Sequence, residues 1–176
     1  ILTPQYTDIP ILARETENLL IFAQHMDFLP VGRGIGSVLP EAIKAAGAVG
    51  VMLNHSEKRI SLAELNKTIK RADQVGLATI VCADTIEEAM AIAHLNPNII
   101  VVEDPELIGT GKTSDINYIK KSAEAVHSVN PEIQVLQAAG ISSGKDVYNI
   151  IKAGAIATGS SSGIFKASDT VAMAEE

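Results

Sequence analysis

The feature that most constrains the fold of this 176-residue chain is a regular alternation of short β-branched runs with amphipathic stretches. The runs predict strands at 1–3, 19–24, 50–54, 78–83, 99–103, 134–138 and 155–159. Because parallel neighbours need a crossover connection, and each intervening helix supplies one, the pattern predicts a parallel α/β sheet. No linker or low-complexity tract interrupts it, so we expect a single domain over residues 1–176.

Local signals mark where the helices begin and end. Ser61 and Glu64 form the S-x-x-E pattern of a capping box, and Thr85 and Glu88 predict a second helix start. Pro40 suits the first turn of another helix. The predicted stops are glycines, at Gly47, Gly76 and Gly154.

Composition excludes several classes of protein. The net charge is −7 and no basic cluster occurs, which argues against a nucleic-acid partner. Cys82 is the only cysteine, so no disulfide forms within the chain and a reducing, cytoplasmic location is expected. No apolar run approaches the roughly 18 residues that span a bilayer, so no membrane association is predicted. Aromatic residues make up only 3% of the chain, which favours a core of Val, Ile, Leu and Ala.

Chemically capable residues and small-residue turns follow several of the predicted strands. They are Gln24, His25, Asn54, His55, Glu103, Ala139, Gly140, Ser162 and Gly163. Alternation alone does not distinguish an open sheet from a closed barrel, and a full (β/α)8 barrel has eight strands. Groups from many successive strands converge at the mouth of a barrel, whereas an open sheet concentrates them at one switch point. This distribution favours the barrel.

His55 and Glu103 each come directly after an apolar run, and His55 opens a dense polar stretch. A Gly-rich segment, residues 106–113, follows Glu103. A histidine, a carboxylate and a loop of backbone N–H groups suit proton transfer on a small phosphorylated carbonyl compound. We interpret the segment as a mobile lid in which Gly109 offers its N–H group to a phosphate.

Two nucleotide-binding alternatives fail on spacing. Residues 109–113 end like a P-loop, but Glu106 stands where that motif requires glycine, and its charge would repel phosphate. Residues 32–36 have G-x-G-x-G spacing, and no acidic residue ends a strand about 20 residues later, as a dinucleotide site needs. The remaining histidines lack metal-ligand spacing with acids or with Cys82, so no metal is predicted.

Several of these segments together resemble triosephosphate isomerase, the archaeal form most closely, from about residue 3 to residue 167. The match is carried by residues 23–25, 54–59, 105–111, 139–141 and 162–163. The resemblance implies a TIM-type (β/α) barrel and interconversion of dihydroxyacetone phosphate with glyceraldehyde 3-phosphate, without a cofactor. It also implies a homo-oligomer, a dimer or a tetramer.

The resemblance assigns roles by position. It makes His55 the electrophile, Glu103 the base and Glu57 a supporting acid, with Ser56 beside the histidine. A neutral histidine that donates to the substrate carbonyl is the family's known arrangement. The phosphate would be held by Gly109, Gly140, Ser162 and Gly163.

The chain also departs from the family pattern. Family members open with a strand carrying an Asn-x-Lys pair, whereas this chain starts where their second strand does, so we expect a barrel that lacks the first strand–helix unit. Three explanations stay open: a segment precedes residue 1, the natural barrel is shorter than usual, or the chain was deliberately truncated. Asp104 replaces a proline at the lid hinge, and Gly34 and Ile35 replace residues of the intersubunit loop.

These departures concern the activity and the intersubunit contacts more than the fold. We expect an isomerase of reduced activity. One alternative is an impaired relative that binds small phosphate esters without turning them over. Another is an enzyme whose altered lid releases the enediolate, which then eliminates phosphate to give methylglyoxal.

Overall fold

The computed structural model describes residues 1–103, 116–138, 140–152 and 154–176. Within them the strands are β1 (Phe22–Ala23), β2 (Gly50–Leu53), β3 (Ala78–Ala83), β4 (Ile99–Val102), β5 (Gln134–Gln137) and β6 (Ala157–Thr158). A short 3-10 helix covers Tyr6–Asp8. The α-helices are α1 (Ile9–Glu15), α2 (Pro40–Ala45), α3 (Leu62–Val75), α4 (Ile86–Ala93), α5 (Ile116–Val129), α6 (Gly144–Lys152), α7 (Ser162–Phe165) and α8 (Thr170–Glu175).

The chain divides into two compact units. The first contains Ile1–Val81 and Leu95–Asn98, and the second contains Cys82–His94 and Ile99–Glu176. Strand β3 therefore contributes residues to both units. The expected single domain over residues 1–176 stays a prediction.

In the first unit, β2 pairs in parallel with both β1 and β3, as the crossover argument predicts. The predicted strand at 1–3 is reduced to an isolated parallel bridge between Leu2 and Ile21. The predicted strand at 19–24 keeps only Phe22 and Ala23. Both predictions were too long, because an apolar run becomes a strand only where a neighbouring backbone supplies a full ladder of hydrogen bonds.

Helix α3 shows how sequence and packing agree in this unit. Its buried residues, Leu65, Thr68, Ile69 and Ala72, have the spacing of one helix face, and the helix packs against β2. The predicted capping box is present: Ser61 Oγ accepts from the Glu64 N–H group, and the Glu64 carboxylate accepts from the Ser61 N–H group at 3.0 Å. The helix ends at Gly76, whose φ of 72° is left-handed.

In the second unit, β5 pairs in parallel with both β4 and β6. Helix α4 packs against α5 and β4, and α6 packs against β6. Thr85 caps α4 as predicted, but the Glu88 carboxylate accepts from the N–H group of Asp84 rather than of Thr85. The reciprocal half of that capping box is thus displaced by one residue. Ile119, Ile141, Ile150 and Ala155 form a buried cluster.

Candidate active site

His55 lies in the turn that follows the buried strand β2. Its side chain is 31% exposed, and Ser56 beside it is half-buried. The Nδ1 atom of His55 accepts a hydrogen bond from the backbone N–H group of Glu57 at 3.3 Å. A nitrogen that accepts cannot carry the ring proton of a neutral imidazole, so this contact places the proton on Nε2.

The carboxylate of Glu57 competes for the same nitrogen. Its Oε2 atom lies 3.8 Å from His55 Nδ1, and an ion pair there would require a proton on Nδ1. The Glu57 side chain is 90% exposed, so water screens that attraction. The backbone N–H group is nearer and fixed in the turn, and it decides the tautomer.

The turn itself is held by backbone and side-chain bonds around His55. The N–H group of Lys58 donates to the His55 carbonyl at 2.8 Å. The Asn54 side-chain oxygen accepts from the N–H group of Ile60 at 3.2 Å, and the Asn54 carbonyl accepts from Arg59 at 3.0 Å. From the sequence, Asn54 was only part of a motif. Its φ is 60°, and the tolerance of asparagine for left-handed backbone is the one signal that could have indicated its role.

His25, which follows β1, is a buried histidine rather than an exposed strand-end group. Its side chain is 8% exposed, and Nε2 lies 3.5 Å from an Asp27 carboxylate oxygen. Burial lowers the pKa of His25; Asp27 opposes that effect, and the positive charge of Lys58 adds to it. Its Nδ1 atom is buried and has no hydrogen-bond partner among the residues that the structure describes. No pattern in the sequence around His25 indicated this burial.

Glu103 belongs to the second unit, directly after β4. The residues before it are fully buried at Ile100 and Val102, while Glu103 itself is half-buried. Its backbone N–H group donates to the carbonyl of Ala83 at 2.9 Å, which continues the pairing with the end of β3. The strand end therefore holds the backbone of Glu103 firmly.

The small-residue turns predicted to bind phosphate come together in the second unit. Ser160 Oγ donates to the carbonyl of Ile141 at 2.8 Å, which joins the turn at Gly140 to the turn before α7. Ser162 and Gly163, both half-buried, begin α7. Gly140 has a φ of 71°, a left-handed conformation that glycine adopts without strain.

A cavity of about 280 Å³ lies between these turns. Its wall includes Ser142, Gly144, Thr158, Ser160, Gly163 and Glu176. The Glu176 carboxylate accepts a hydrogen bond from the N–H group of Gly144 at 3.3 Å. This wall of the cavity thus presents a backbone donor to a carboxylate oxygen.

The structure places His55, Ser56 and Glu57 in one turn of the first unit, and Glu103, Gly140, Ser162 and Gly163 in the second unit. Gly109, Glu106 and the predicted lid at 106–113 lie outside the described residues, as does Asp104. Among residues 1–103, 116–138, 140–152 and 154–176, three His, Cys, Asp or Glu side chains able to share a metal ion are not found together. The predicted absence of a metal stays a prediction.

Comparison with known proteins gives one consistent result. The family model for triosephosphate isomerase matches residues 1–175. The triosephosphate isomerase of Methanobacterium bryantii is 44% identical over 169 residues, 94% of this chain and 74% of that protein. The proteins of the same name from Methanosarcina mazei and Methanothermus fervidus are 41% and 39% identical, over 98% and 100% of this chain and 79% and 80% of their own lengths.

Proposed function

Because the chain belongs to the triosephosphate isomerase family, we propose that it interconverts dihydroxyacetone phosphate and D-glyceraldehyde 3-phosphate through an enediolate. Membership confirms the resemblance stated from the motifs, including its archaeal character, and with the parallel strand pairs it confirms the TIM-type α/β fold. The observation that carries the proposal is the imidazole of His55. Its Nδ1 atom is occupied by a backbone N–H group, so that Nε2 offers a proton.

In this proposal His55 and Glu103 divide the proton transfers. Glu103 removes a proton from the carbon next to the substrate carbonyl and returns it to the neighbouring carbon. His55 donates its Nε2 proton to the carbonyl oxygen, where negative charge develops, and recovers a proton from the neighbouring hydroxyl oxygen, which becomes the carbonyl oxygen of the product. The backbone hydrogen bonds of the His55 turn and of Glu103 at the end of β4 support these roles, since acid–base groups act only from a fixed position.

The phosphate of the substrate is assigned to the turns of the second unit. Gly140, Ser162 and Gly163 border or neighbour the cavity, and the backbone N–H groups of such turns are suited to hold an oxyanion. Gly109 completes the proposed set from outside the described residues. Glu57 and Ser56 are supporting residues of the His55 turn.

We also expect a homo-oligomer, either a dimer or a tetramer. Val31 and Ile35 are 69% and 109% exposed in the loop between β1 and α2, and such apolar tips are commonly covered in an assembly. Light scattering on the purified chain would measure the subunit number, and a monomer at all concentrations would contradict the expectation.

Location and membrane association are separate questions. No helix of the described residues is long and apolar enough to cross a membrane. A cytoplasmic location stays a prediction.

An alternative function is binding of small phosphate esters without turnover. It is favoured by the cavity between the small-residue turns of the second unit, which can hold an anion without any acid–base group. Phosphoglycolate would bind under either proposal, so turnover discriminates between them.

The test is the isomerisation of glyceraldehyde 3-phosphate by the purified chain, compared with Glu103→Gln. Removing a general base typically lowers kcat by about 10²–10⁴. Glu124→Gln on α5 makes the same change of charge at an exposed position and should keep wild-type kcat. Equal traces of activity in the wild type and in Glu103→Gln would refute the isomerase and leave the binding function, which phosphoglycolate titration would then measure.

A further inference from the structure

Asn54 adopts a backbone conformation that side chains other than glycine rarely take. Its φ is 60°, and among the described residues only Asn96, at 56°, shares a positive φ without being glycine. A left-handed residue with a Cβ atom is strained relative to the right-handed region, because its Cβ atom lies too close to a backbone carbonyl oxygen. The strained conformation lies one residue ahead of His55 and is buried, with Asn54 only 3% exposed.

The side chain of Asn54 closes the turn that carries His55. Its Oδ1 atom accepts from the N–H group of Ile60 at 3.2 Å, six residues later, and its carbonyl accepts from the Arg59 guanidinium at 3.0 Å. Inside this closed turn, the Glu57 N–H group donates to His55 Nδ1. The contact that selects the His55 tautomer therefore lies within the segment that Asn54 ties together.

The choice of Asn at this position has a physical reason. Glycine would adopt the same φ without strain but would leave the Ile60 N–H group without its side-chain acceptor. Aspartate would keep an acceptor but bury a charge at a position that is 3% exposed. Asn combines tolerance of left-handed backbone with a neutral acceptor.

We propose that Asn54 is a positioning residue for His55: it holds the turn 54–60 so that the Glu57 N–H group stays on Nδ1 and the ring proton stays on Nε2. The inference rests on the proposed isomerase function, in which His55 donates from Nε2. Asn54 acts through His55 and does not itself touch the reacting atoms.

The test compares Asn54→Gly and Asn54→Ala with Asn96→Gly and Asn96→Ala. Asn96 is the matched control because it has nearly the same φ at an exposed position of the same unit. Steady-state kinetics gives kcat and KM for glyceraldehyde 3-phosphate. Nitrogen-15 NMR of the imidazoles reports the tautomer directly, with the His55 signals assigned by their loss in His55→Gln.

Asn54→Gly should lower kcat about tenfold and change KM by less than about twofold. The reason is that a catalytic group misplaced by a fraction of an ångström lowers the rate of reaction more than it weakens substrate binding. Its His55 should show a mixture of the two tautomers. Both Asn96 variants should keep wild-type kcat and spectra. Asn54→Ala adds backbone strain, so if it does not fold, the Gly variant, which keeps the backbone relaxed, decides the question.

Wild-type kcat and an unchanged His55 spectrum in Asn54→Gly would overturn the inference. An equal loss of kcat in Asn96→Gly would overturn it too, because the effect would then be general. If the wild-type chain shows no turnover above Glu103→Gln, the proposed function fails. The nitrogen-15 comparison would still decide whether Asn54 sets the tautomer.

Discussion

Replacing Gly163 with alanine would test whether the close approach of two turns in the second unit shapes the proposed phosphate site. A Cβ atom at Gly163 would lie 2.4 Å from the carbonyl oxygen of Ile141, 2.6 Å from Ser160 Oγ and 3.1 Å from the Cα atom of Ser142. Ordinary carbon–oxygen contacts begin near about 3.3 Å. The two turns must therefore separate by about 1 Å, and the bond between Ser160 and Ile141 is strained or lost.

The size of the effect follows from this displacement. Overpacking of a close contact costs about 1–3 kcal/mol, which for a chain of this length lowers Tm by roughly 2 to 12 °C. A shift of about 1 Å in a binding group costs up to about 10² in kcat/KM. We expect Gly163→Ala to lower kcat/KM for glyceraldehyde 3-phosphate about ten- to hundredfold, mainly through a higher KM.

The chain offers a matched control in the same region. A Cβ atom at Gly159 would meet nothing within 4 Å, although Gly159 lines the same cavity. Gly159→Ala should keep wild-type kinetics. Its free energy of unfolding should rise by about 0.4–1 kcal/mol, because alanine lowers the entropy of the unfolded chain. Steady-state kinetics and calorimetry measure both variants. Wild-type KM and Tm in Gly163→Ala would refute the reasoning.

Two further predictions concern stability. Ser61→Ala removes the acceptor of the Glu64 N–H group at the start of α3 and should cost about 1 kcal/mol in urea denaturation; a change within error would show that water replaces the cap. Burial sets the pKa of His25 below its ordinary value of 6.5, so the unfolded chain binds more protons than the folded one between those two values. The contribution of His25 to the free energy of unfolding should therefore be fully present above about pH 6.5 and be lost as the pH drops through the folded pKa. His25→Asn should flatten that slope in denaturation at several pH values, and an identical slope would contradict the burial argument.

Local chemistry explains why much of the architecture was predictable. A capping box forms between Ser61 and Glu64 whatever surrounds the helix, because both partners lie within one turn. The ends at Gly47, Gly76 and Gly154 were predictable for the same reason, and all three have positive φ in the structure. Parallel pairing followed from connectivity, since each crossover helix returns the chain in the same direction.

Strand extent was not predictable to the same degree. Residues 1–3 have the composition of a strand, yet only Leu2 forms a bridge. Hydrogen bonds of a ladder come from another part of the chain, and no periodicity in the run itself reports where that partner ends.

The candidate site also has features that were predictable from the sequence and features that were not. The residue types were predictable: an imidazole, a carboxylate and glycines follow predicted strands, in motifs specific enough to indicate the family. Their physical states depend on neighbours distant in sequence or on the fold of a turn. Burial around His25 lowers its pKa, and the turn tied by Asn54 sets the proton of His55.

Gly163 shows most plainly the difference between what the sequence predicts and what depends on the fold. The sequence predicted a backbone donor for phosphate at this position. The tertiary structure adds a separate reason for glycine. A Cβ atom at this position would lie 2.4 Å from the carbonyl oxygen of Ile141, a residue 22 positions earlier in the chain. Which groups are present and which elements they follow could be read from the sequence, because both depend on local bonding. The pKa of His25, the tautomer of His55 and the clearance around Gly163 could not be read from it, because each depends on atoms that folding brings into contact.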